Sequence, residues 1–194
     1  MAELAGLAES VAELVSDGDS VALEGFTHRI PMAAGHELLR QGRRELEHWI
    51  GPGRIQVAFL GAAQVDRHAN LNSTVIGDYE RPRTRLPGAG GAPEIATGLQ
   101  EVVVIVPHGP RTFVPELDFR TTSGERTTAV VTDLGVLEPP RPGEELVLTA
   151  VHPGVAVEQV RAATGWDLRV AGEVAVTEAP TREELGALRE LVAR

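Results

Sequence analysis

The apolar positions along the chain follow two periods, and together they predict helices and strands in alternation. Near the N-terminus, Leu4, Leu7, Val11, Leu14 and Val15 recur at helical spacing. Elsewhere, short apolar runs bounded by glycine, proline or polar residues are typical of strands. The predicted strands are 21–23, 56–61, 74–76, 102–106, 129–132, 146–149 and 168–170, and the later helices lie within 31–42, 88–99 and 155–163 and from 181 onward.

The order of these elements predicts an α/β fold. Strands alternate with helices early in the chain and cluster in the middle, which favours a mostly parallel sheet with some mixed pairing. Residues 102–106 are apolar throughout, so this strand is expected to be buried on both faces. We therefore expect one α/β domain over residues 1–194, with helices flanking the sheet.

Composition excludes several kinds of chemistry. The 194 residues contain no cysteine, and every one of the 18 basic residues is arginine. A thiol nucleophile, thiolate metal ligands and a lysine Schiff base are therefore excluded. The net charge of −10 argues against a nucleic-acid partner, and no apolar run approaches the roughly 20 residues of a membrane helix. We expect a cytoplasmic protein with no membrane or nucleic-acid partner.

A glycine-rich turn runs into a predicted helix at residues 86–96. Gly88, Gly90 and Gly91 are followed by Ala92, and Glu94 falls in the first helical turn. Backbone N–H groups in such a turn can hold a phosphate, a carboxylate or a developing oxyanion. The alternative is a tight turn with no ligand, in which Glu94 only interacts with the helix dipole.

Three arginines precede this turn, at Arg81, Arg83 and Arg85. A local basic loop on an acidic protein can select an anionic ligand. The alternative is a solvated loop in which the arginines pair with Glu80 and nearby acids. A further candidate, His108, follows the strand 102–106 and could face the same cleft.

Two candidate catalytic residues follow the first predicted strand. Glu24 comes directly after residues 21–23, and His28 lies four residues later. Because ligands of open α/β sheets bind at the carboxyl ends of strands, Glu24 could act as acid, base or nucleophile, and His28 could move a proton. The alternatives are a helix-capping carboxylate and a surface histidine.

Four sequence blocks, in this order, resemble the β subunit of family I coenzyme A transferases, especially its glutaconate-transferase-like branch. They are residues 64–74, the glycine turn 88–94 (matching G-x-G-G-A-x-D/E), residues 131–136 and residues 149–154. Residues 17–31 resemble the opening of the family's α subunit, where a strand leads into a G-G-F turn; Glu24 replaces the first glycine. The resemblance implies an α-type opening over 1–50 joined to a β-type remainder over 51–194.

The resemblance implies a three-layer fold and an acyl-CoA or related carboxylic substrate, with no cofactor or metal required. It also assigns oxyanion or ligand contacts to Gly25, Phe26, Thr27, Gly88, Gly90, Gly91, Ala92 and Glu94. The family's nucleophilic glutamate lies in an E-x-G element that residues 41–51 do not contain. We therefore expect a non-transfer reaction, decarboxylation or hydrolysis, in a homo-oligomer, most simply a dimer.

Two other functions stay open at this point. A chain that joins parts of both subunit types could bind CoA-like ligands, or support a partner subunit, without catalysis. It could also use the fold on a biosynthetic substrate that carries no CoA. The sequence alone does not choose among these functions.

Overall fold

The fold was obtained as a computed structural model, which describes residues 20–23 and 55–192. The described part of the chain contains eleven strands and three helices. The strands are β1 Ser20–Leu23, β2 Ile55–Leu60, β3 Gln64–Val65, β4 Leu71–Asn72, β5 Val75–Gly77, β6 Pro82–Arg85, β7 Glu101–Ile105, β8 Thr127–Val131, β9 Gly135–Glu138, β10 Val147–Val151 and β11 Arg169–Val176; the helices are α1 Ala92–Gly98, α2 Val157–Ala162 and α3 Arg182–Val192.

A mixed sheet dominates this part of the chain, with strand order β1-β2-β7-β8-β9-β10-β11. Strands β1, β2, β7 and β8 pair in parallel, as do β10 and β11, whereas β9 is antiparallel to both of its neighbours. Two short antiparallel pairs, β3–β4 and β5–β6, lie outside this sheet. The α/β prediction with a mostly parallel, partly mixed sheet is confirmed.

Buried aliphatic side chains cover both faces of the sheet. Val104 of β7 and Leu148 of β10 belong to the larger cluster, which includes the buried face of α1. Phe59 and Val103 project to the opposite face, where they form a second cluster. Strand β7 is thus buried on both sides, as its uninterrupted apolar sequence predicts.

Helix α1 connects the glycine turn to the sheet. It buries its first, fourth and fifth residues, Ala92, Ile95 and Ala96, in the larger cluster. Because α1 leads directly into β7, it runs back along the sheet and begins near the carboxyl ends of the parallel strands. The glycine turn therefore lies toward the edge where α/β sheets bind ligands.

The terminal helix α3 begins as its sequence predicts. The Thr181 hydroxyl accepts the N–H of Glu184 at 3.2 Å, and the Glu184 carboxylate accepts the N–H of Thr181 at 2.7 Å. This reciprocal capping box satisfies two N–H groups that the helix itself leaves without acceptors.

Three strands differ from the sequence predictions. Arg83 and Arg85 lie on β6, within a hairpin, and not in a basic loop. Residues 135–138, for which the sequence predicted no element, form the antiparallel strand β9. Strand β11 also extends to Val176, well beyond the predicted 168–170, because pairing with β10 extends the strand past its apolar start.

Candidate functional site

The glycine turn has a fixed base and an open face. Gly88 donates its N–H to the Ser73 carbonyl at 2.9 Å, and the Ser73 hydroxyl donates to the Gly88 carbonyl at 2.9 Å. Gly88 has φ +106° and Gly90 has φ +52°, conformations that favour glycine. A Cβ built on Gly88 would meet no atom within 4 Å, so this side of the turn is open.

Several backbone N–H groups lie where the glycine turn leads into α1. The N–H of Ala92 bonds to the Ala89 carbonyl at 3.0 Å, and Gly91 is the N-cap residue without a capping side chain. Within the described residues, the N–H groups of Ala89, Gly90 and Gly91 have no acceptor. Glu94 is exposed in the first turn of α1. The turn can therefore offer several N–H groups to an anionic or polarised oxygen.

A buried polar cluster holds the base of the turn. Asn72 is fully buried, and its amide donates to the Gln64 side-chain oxygen and to the Val75 carbonyl, both at 2.7 Å. The Gln64 amide in turn donates to the Asp118 carboxylate at 2.8 Å. Thr121 accepts the N–H of Ser73 at 3.0 Å. Because buried amides are costly unless bonded, this cluster restricts the chain that carries the turn.

Sequence reasoning missed Gln64, Asp118 and Thr121 as supports of the turn. They lie in blocks far apart in the chain, and the contact between Gln64 and Asp118 spans 54 residues. The only signal was Asn72, because an asparagine in a short strand needs partners for its amide. Those partners become visible only in the folded chain.

The turn between β3 and β4 has a structural role. Asp66 accepts the N–H groups of His68 and Asn70 at 2.9 and 3.0 Å, and also the Asn70 amide at 2.8 Å. Ala69 adopts φ +57° within it. Residues 66–70 thus form a polar turn that is closed by the Asp66 side chain. No group of three potential metal-binding side chains occurs among the described residues.

Arg81, Arg83 and Arg85 are exposed on the β5–β6 hairpin, which leads into the glycine turn. Arg83 approaches the Asp118 carboxylate at 3.9 Å. Arg85 donates to the Tyr79 carbonyl at 2.9 Å. All three arginines thus lie on the hairpin that leads into the glycine turn, and their anion-binding role stays a prediction.

His108 packs into the protein at the carboxyl end of β7. Its ring stacks on Phe113 with centroids 3.8 Å apart and planes 3° apart. Its Nε2 lies 2.9 Å from the Thr164 hydroxyl, and its Nδ1 lies 3.2 Å from the Thr132 hydroxyl. The Thr164 hydroxyl donates to the Val160 carbonyl at 2.8 Å, so it accepts from Nε2. These contacts indicate a structural imidazole, and a role for His108 in the cleft stays a prediction.

Burial lowers the pKa of His108 from 6.5 to about 4, opposed in part by the nearby Asp133 carboxylate. The folded state therefore disfavours the proton that the unfolded chain takes up near pH 6.5. Stability from this residue should be complete above pH 6.5 and should fall as the pH drops toward 4. We expect a loss of about 2 kcal/mol after discounting for partial exposure.

Urea unfolding at pH 7, 5.5 and 4 would measure this loss against a His108→Phe control. Phenylalanine keeps the stacking on Phe113 and does not titrate, and the Thr132 and Thr164 hydroxyls keep their carbonyl acceptors at 2.9 and 2.8 Å. The carboxylates titrate in both proteins, so the difference isolates His108. Parallel pH curves for the two proteins would contradict the prediction.

Two of the family-like blocks meet at Thr132. Its carbonyl accepts from His152 Nε2 at 2.8 Å, while His152 Nδ1 lies 2.7 Å from the Thr177 hydroxyl. The Thr132 hydroxyl also accepts the N–H groups of Leu134 and Gly135, both at 3.1 Å. These bonds join the ends of β8, β10 and β11, so residues 131–136 and 149–154 stabilise the fold.

The opposite edge of the sheet carries two features that are not part of this site. A shallow depression lined by Gln100, Arg126 and Pro142 lies where β7 and β8 begin. Burial raises the pKa of Glu138, opposed by a hydrogen bond from Thr149, and Glu138 pairs with Val147 at the start of β10. Both lie away from the carboxyl ends of the parallel strands, where ligands bind.

The remaining site predictions lie outside the described residues. Glu24, Gly25, Phe26, Thr27 and His28 follow β1, whose last residue, Leu23, pairs with Phe59 near the carboxyl end of β2. Their roles stay predictions. No helix of the described residues is long and apolar enough to cross a membrane.

The family profile described as Coenzyme A transferase matches residues 41–163. The chain is 49% identical over 162 residues to the B-type subunit of the 3-oxoadipate CoA-transferase of Pseudomonas knackmussii, covering 76% of this chain and 62% of that protein. It is 63% identical over 46 residues to the A-type subunit of the same organism's enzyme, covering 24% of this chain and 16% of that protein. The α-type opening over residues 1–50 and the β-type remainder over 51–194 stay predictions.

The chain is also similar to a protein that is named as a hydrolase subunit. The cholesterol ring-cleaving hydrolase IpdB subunit of Rhodococcus jostii is 28% identical over 156 residues, covering 74% of this chain and 61% of that protein. The chain thus spans about three fifths of the length of these B-type relatives.

Solved structures agree with these relationships. Glutaconate coenzyme A-transferase from Acidaminococcus fermentans matches with a TM-score of 0.76 and 25% identity, over 95% of this chain and 92% of that chain. The decarboxylase AibA/AibB shares the fold, with a TM-score of 0.74 and 23% identity over 94% of this chain and 91% of that chain. The profile covers more than half of the chain, and the chain belongs to the coenzyme A transferase family.

Proposed function

We propose that the chain binds an acyl-CoA thioester, with the thioester carbonyl against the glycine turn, and acts on it without transferring CoA. The observation that carries the proposal is the open face of Gly88 beside the N–H groups of Ala89, Gly90 and Gly91. Directed N–H groups stabilise the oxyanion or enolate that forms when a thioester is attacked or decarboxylated. Membership of the family supports a CoA thioester as the ligand.

The absence of the E-x-G element from residues 41–51 supports a non-transfer reaction. Transfer in this family passes through an acylated glutamate, and without that carboxylate the chain lacks the matching nucleophile. Hydrolysis needs only an activated water, and decarboxylation needs only a stabilised enolate and a proton donor. Glu24 and His28 are our candidates for moving that proton.

Thiol release and carbon dioxide release would distinguish these reactions. Because the chain contains no cysteine, a thiol reagent reports only free CoA and gives no background from the protein. Hydrolysis releases the CoA thiol, decarboxylation releases CO₂ while the thioester persists, and transfer requires an added acceptor acid. Activity that appears only with an acceptor acid would contradict the non-transfer proposal.

Gly91→Val should weaken acyl-CoA binding more than tenfold while lowering the free energy of unfolding by about 1 kcal/mol or less. Gly91 has φ −88° and ψ −1°, which any L-residue adopts, so the backbone is not strained. A branched side chain would nevertheless obstruct the approach of a thioester to the turn. Calorimetric titration and urea unfolding would measure the two effects.

Gly98→Val is the matched control, because Gly98 ends the same helix and a Cβ there meets nothing within 4 Å. It should retain acyl-CoA binding. Equal losses of binding in the two variants, or equal losses of binding and stability in Gly91→Val, would favour a purely structural turn.

A second function is favoured by the joining of two subunit types in one polypeptide. The chain spans about three fifths of the length of its B-type relatives and matches the A-type protein over 46 residues. A polypeptide that joins parts of both types could bind CoA ligands, or a partner subunit, without turnover. Binding of acyl-CoA with neither thiol nor CO₂ release would support this alternative.

The oligomeric state belongs to the same proposal. The two matched Pseudomonas knackmussii proteins carry the names of A-type and B-type subunits, which indicates assembly from two kinds of chain in that enzyme. Here both types of sequence occur in one polypeptide, so a homodimer stays our prediction. The alternative is a complex with a separate partner of the same family.

A further inference from the structure

Ser73 joins the buried polar cluster to the glycine turn. It is 6% exposed and follows β4, and its N–H donates to the Thr121 hydroxyl oxygen at 3.0 Å. Its carbonyl accepts the Gly88 N–H at 2.9 Å, and its hydroxyl donates to the Gly88 carbonyl at 2.9 Å. Three hydrogen bonds therefore fix Ser73, and two of them hold Gly88 against it.

The Ser73 hydroxyl sets the direction of one peptide unit of the turn. Among the described residues, it is the one donor to the Gly88 carbonyl. The peptide bond from Gly88 to Ala89 is trans, so its N–H points away from its C=O. Because the carbonyl points inward to the buried Ser73, the Ala89 N–H points the opposite way. This N–H has no acceptor within the described part of the chain, and a Cβ on Gly88 would meet nothing within 4 Å.

The backbone at Gly88 does not impose this direction by itself. Gly88 has φ +106°, and a glycine has access to several other backbone conformations. Rotation of the Gly88–Ala89 peptide would turn its carbonyl oxygen toward the open face, where it would repel the oxygen of a bound thioester. N–H groups stabilise a developing oxyanion best when they are already directed at it. The turn therefore needs a donor that holds the Gly88 carbonyl from behind.

We propose that Ser73 is a positioning residue, whose hydroxyl directs the Ala89 N–H toward the carbonyl oxygen of the bound thioester. The inference rests on the proposed function, because it concerns the same turn and the same ligand. The Ser73 hydroxyl is not placed to attack the ligand, because it is buried and its proton is donated to the Gly88 carbonyl. Its effect on the ligand passes through the peptide that it orients.

Two CoA ligands that cannot be hydrolysed would test the role of Ser73. One is the ketone analogue of acetyl-CoA, in which CH₂ replaces the thioester sulfur, and the other is S-ethyl-CoA, which lacks the carbonyl oxygen. By calorimetric titration, the parent chain should bind the ketone about tenfold more tightly than S-ethyl-CoA. Ser73→Ala should lose about three- to tenfold in ketone affinity and should bind S-ethyl-CoA as the parent does. A general loss of stability would weaken the binding of both ligands alike.

Two further variants control for the substitution itself. Ser73→Thr keeps the hydroxyl and should restore the preference for the ketone. Thr97→Ala removes another hydroxyl that donates to a backbone carbonyl at 2.9 Å, that of Pro93 on α1. It should bind both ligands as the parent does, because it leaves the bond to the Gly88 carbonyl intact. Urea unfolding of each variant would show how far stability changes.

The outcomes separate this inference from the proposed function. If the parent prefers the ketone and Ser73→Ala keeps the whole preference, Ser73 is not a positioning residue and the thioester site survives. If Ser73→Ala weakens the binding of both ligands by the same factor, Ser73 supports only the fold of the turn and the inference is overturned. If the parent binds the two ligands equally, the turn does not bind the carbonyl, and the proposed function and the inference fail together.

Discussion

Glu24→Gln should lower turnover by about 10²–10⁴-fold if Glu24 acts as a general acid or base, and by more if it is a nucleophile. Glutamine keeps the size and hydrogen-bonding capacity of the side chain but can neither accept a proton nor form an acyl anhydride. Glu24 follows directly on β1, which pairs in parallel with β2 and ends beside Phe59. It is thus the one carboxylate in the α-type turn that the family resemblance matches. Steady-state release of thiol or CO₂ would measure the loss.

A matched control separates chemistry from general charge effects. Glu138→Gln removes a half-buried carboxylate at the opposite edge of the sheet and should leave turnover unchanged. Hydroxylamine trapping then distinguishes the two roles of Glu24, because only a nucleophile forms an acylated enzyme. Parent-like turnover by Glu24→Gln, with melting temperatures equal to the parent, would remove Glu24 from the mechanism and leave it as a helix cap.

The strands that were predictable from sequence are those with strong apolar runs. Residues 102–106 predicted a buried strand, and β7 is buried on both faces between β2 and β8. A helix was predicted from residue 181 onward, and α3 begins at Arg182, directly after the capping residue Thr181. In these segments local pattern and tertiary packing favour the same conformation, so the sequence alone is informative.

Other segments are determined by long-range pairing. The sequence of β6 is polar and basic, and this segment is extended because it pairs with β5. Strand β9 is short and begins with a glycine, yet it fits between β8 and β10 in antiparallel register. No local period distinguishes such strands from loops, because their stability comes from partners distant in the chain.

In the candidate site, too, some features were predictable from the sequence and others were not. The glycine turn was visible because positive-φ glycines and a following helix leave a clear local signature. The cluster of Gln64, Asn72 and Asp118 that supports it was not visible, because its hydrogen bonds join distant blocks. His108 shows the converse: a histidine after a strand suggests a cleft residue, while its stacking on Phe113 indicates packing.

Gly135→Ala should destabilise the fold by about 3 kcal/mol, at the upper end of the cost of overpacking. Gly135 begins β9 and pairs with Val151 of β10. A Cβ at this position would overlap the Ala150 carbonyl oxygen and would lie 3.1 Å from the Val151 Cα. These are backbone atoms of the adjacent strand, so no change of side-chain rotamer can relieve the overlap.

A glycine-to-alanine change at Gly172, in the same sheet, provides the control. Gly172 lies in β11, has no positive φ, and a Cβ there meets nothing within 4 Å. Gly172→Ala should therefore leave stability unchanged or raise it slightly, by up to about 1 kcal/mol, through the unfolded state. Urea unfolding of the two variants should place them on opposite sides of the parent, or leave only Gly135→Ala altered. Small and equal shifts would show that β9 and β10 can separate freely, and would contradict a structural requirement for glycine in the block 131–136.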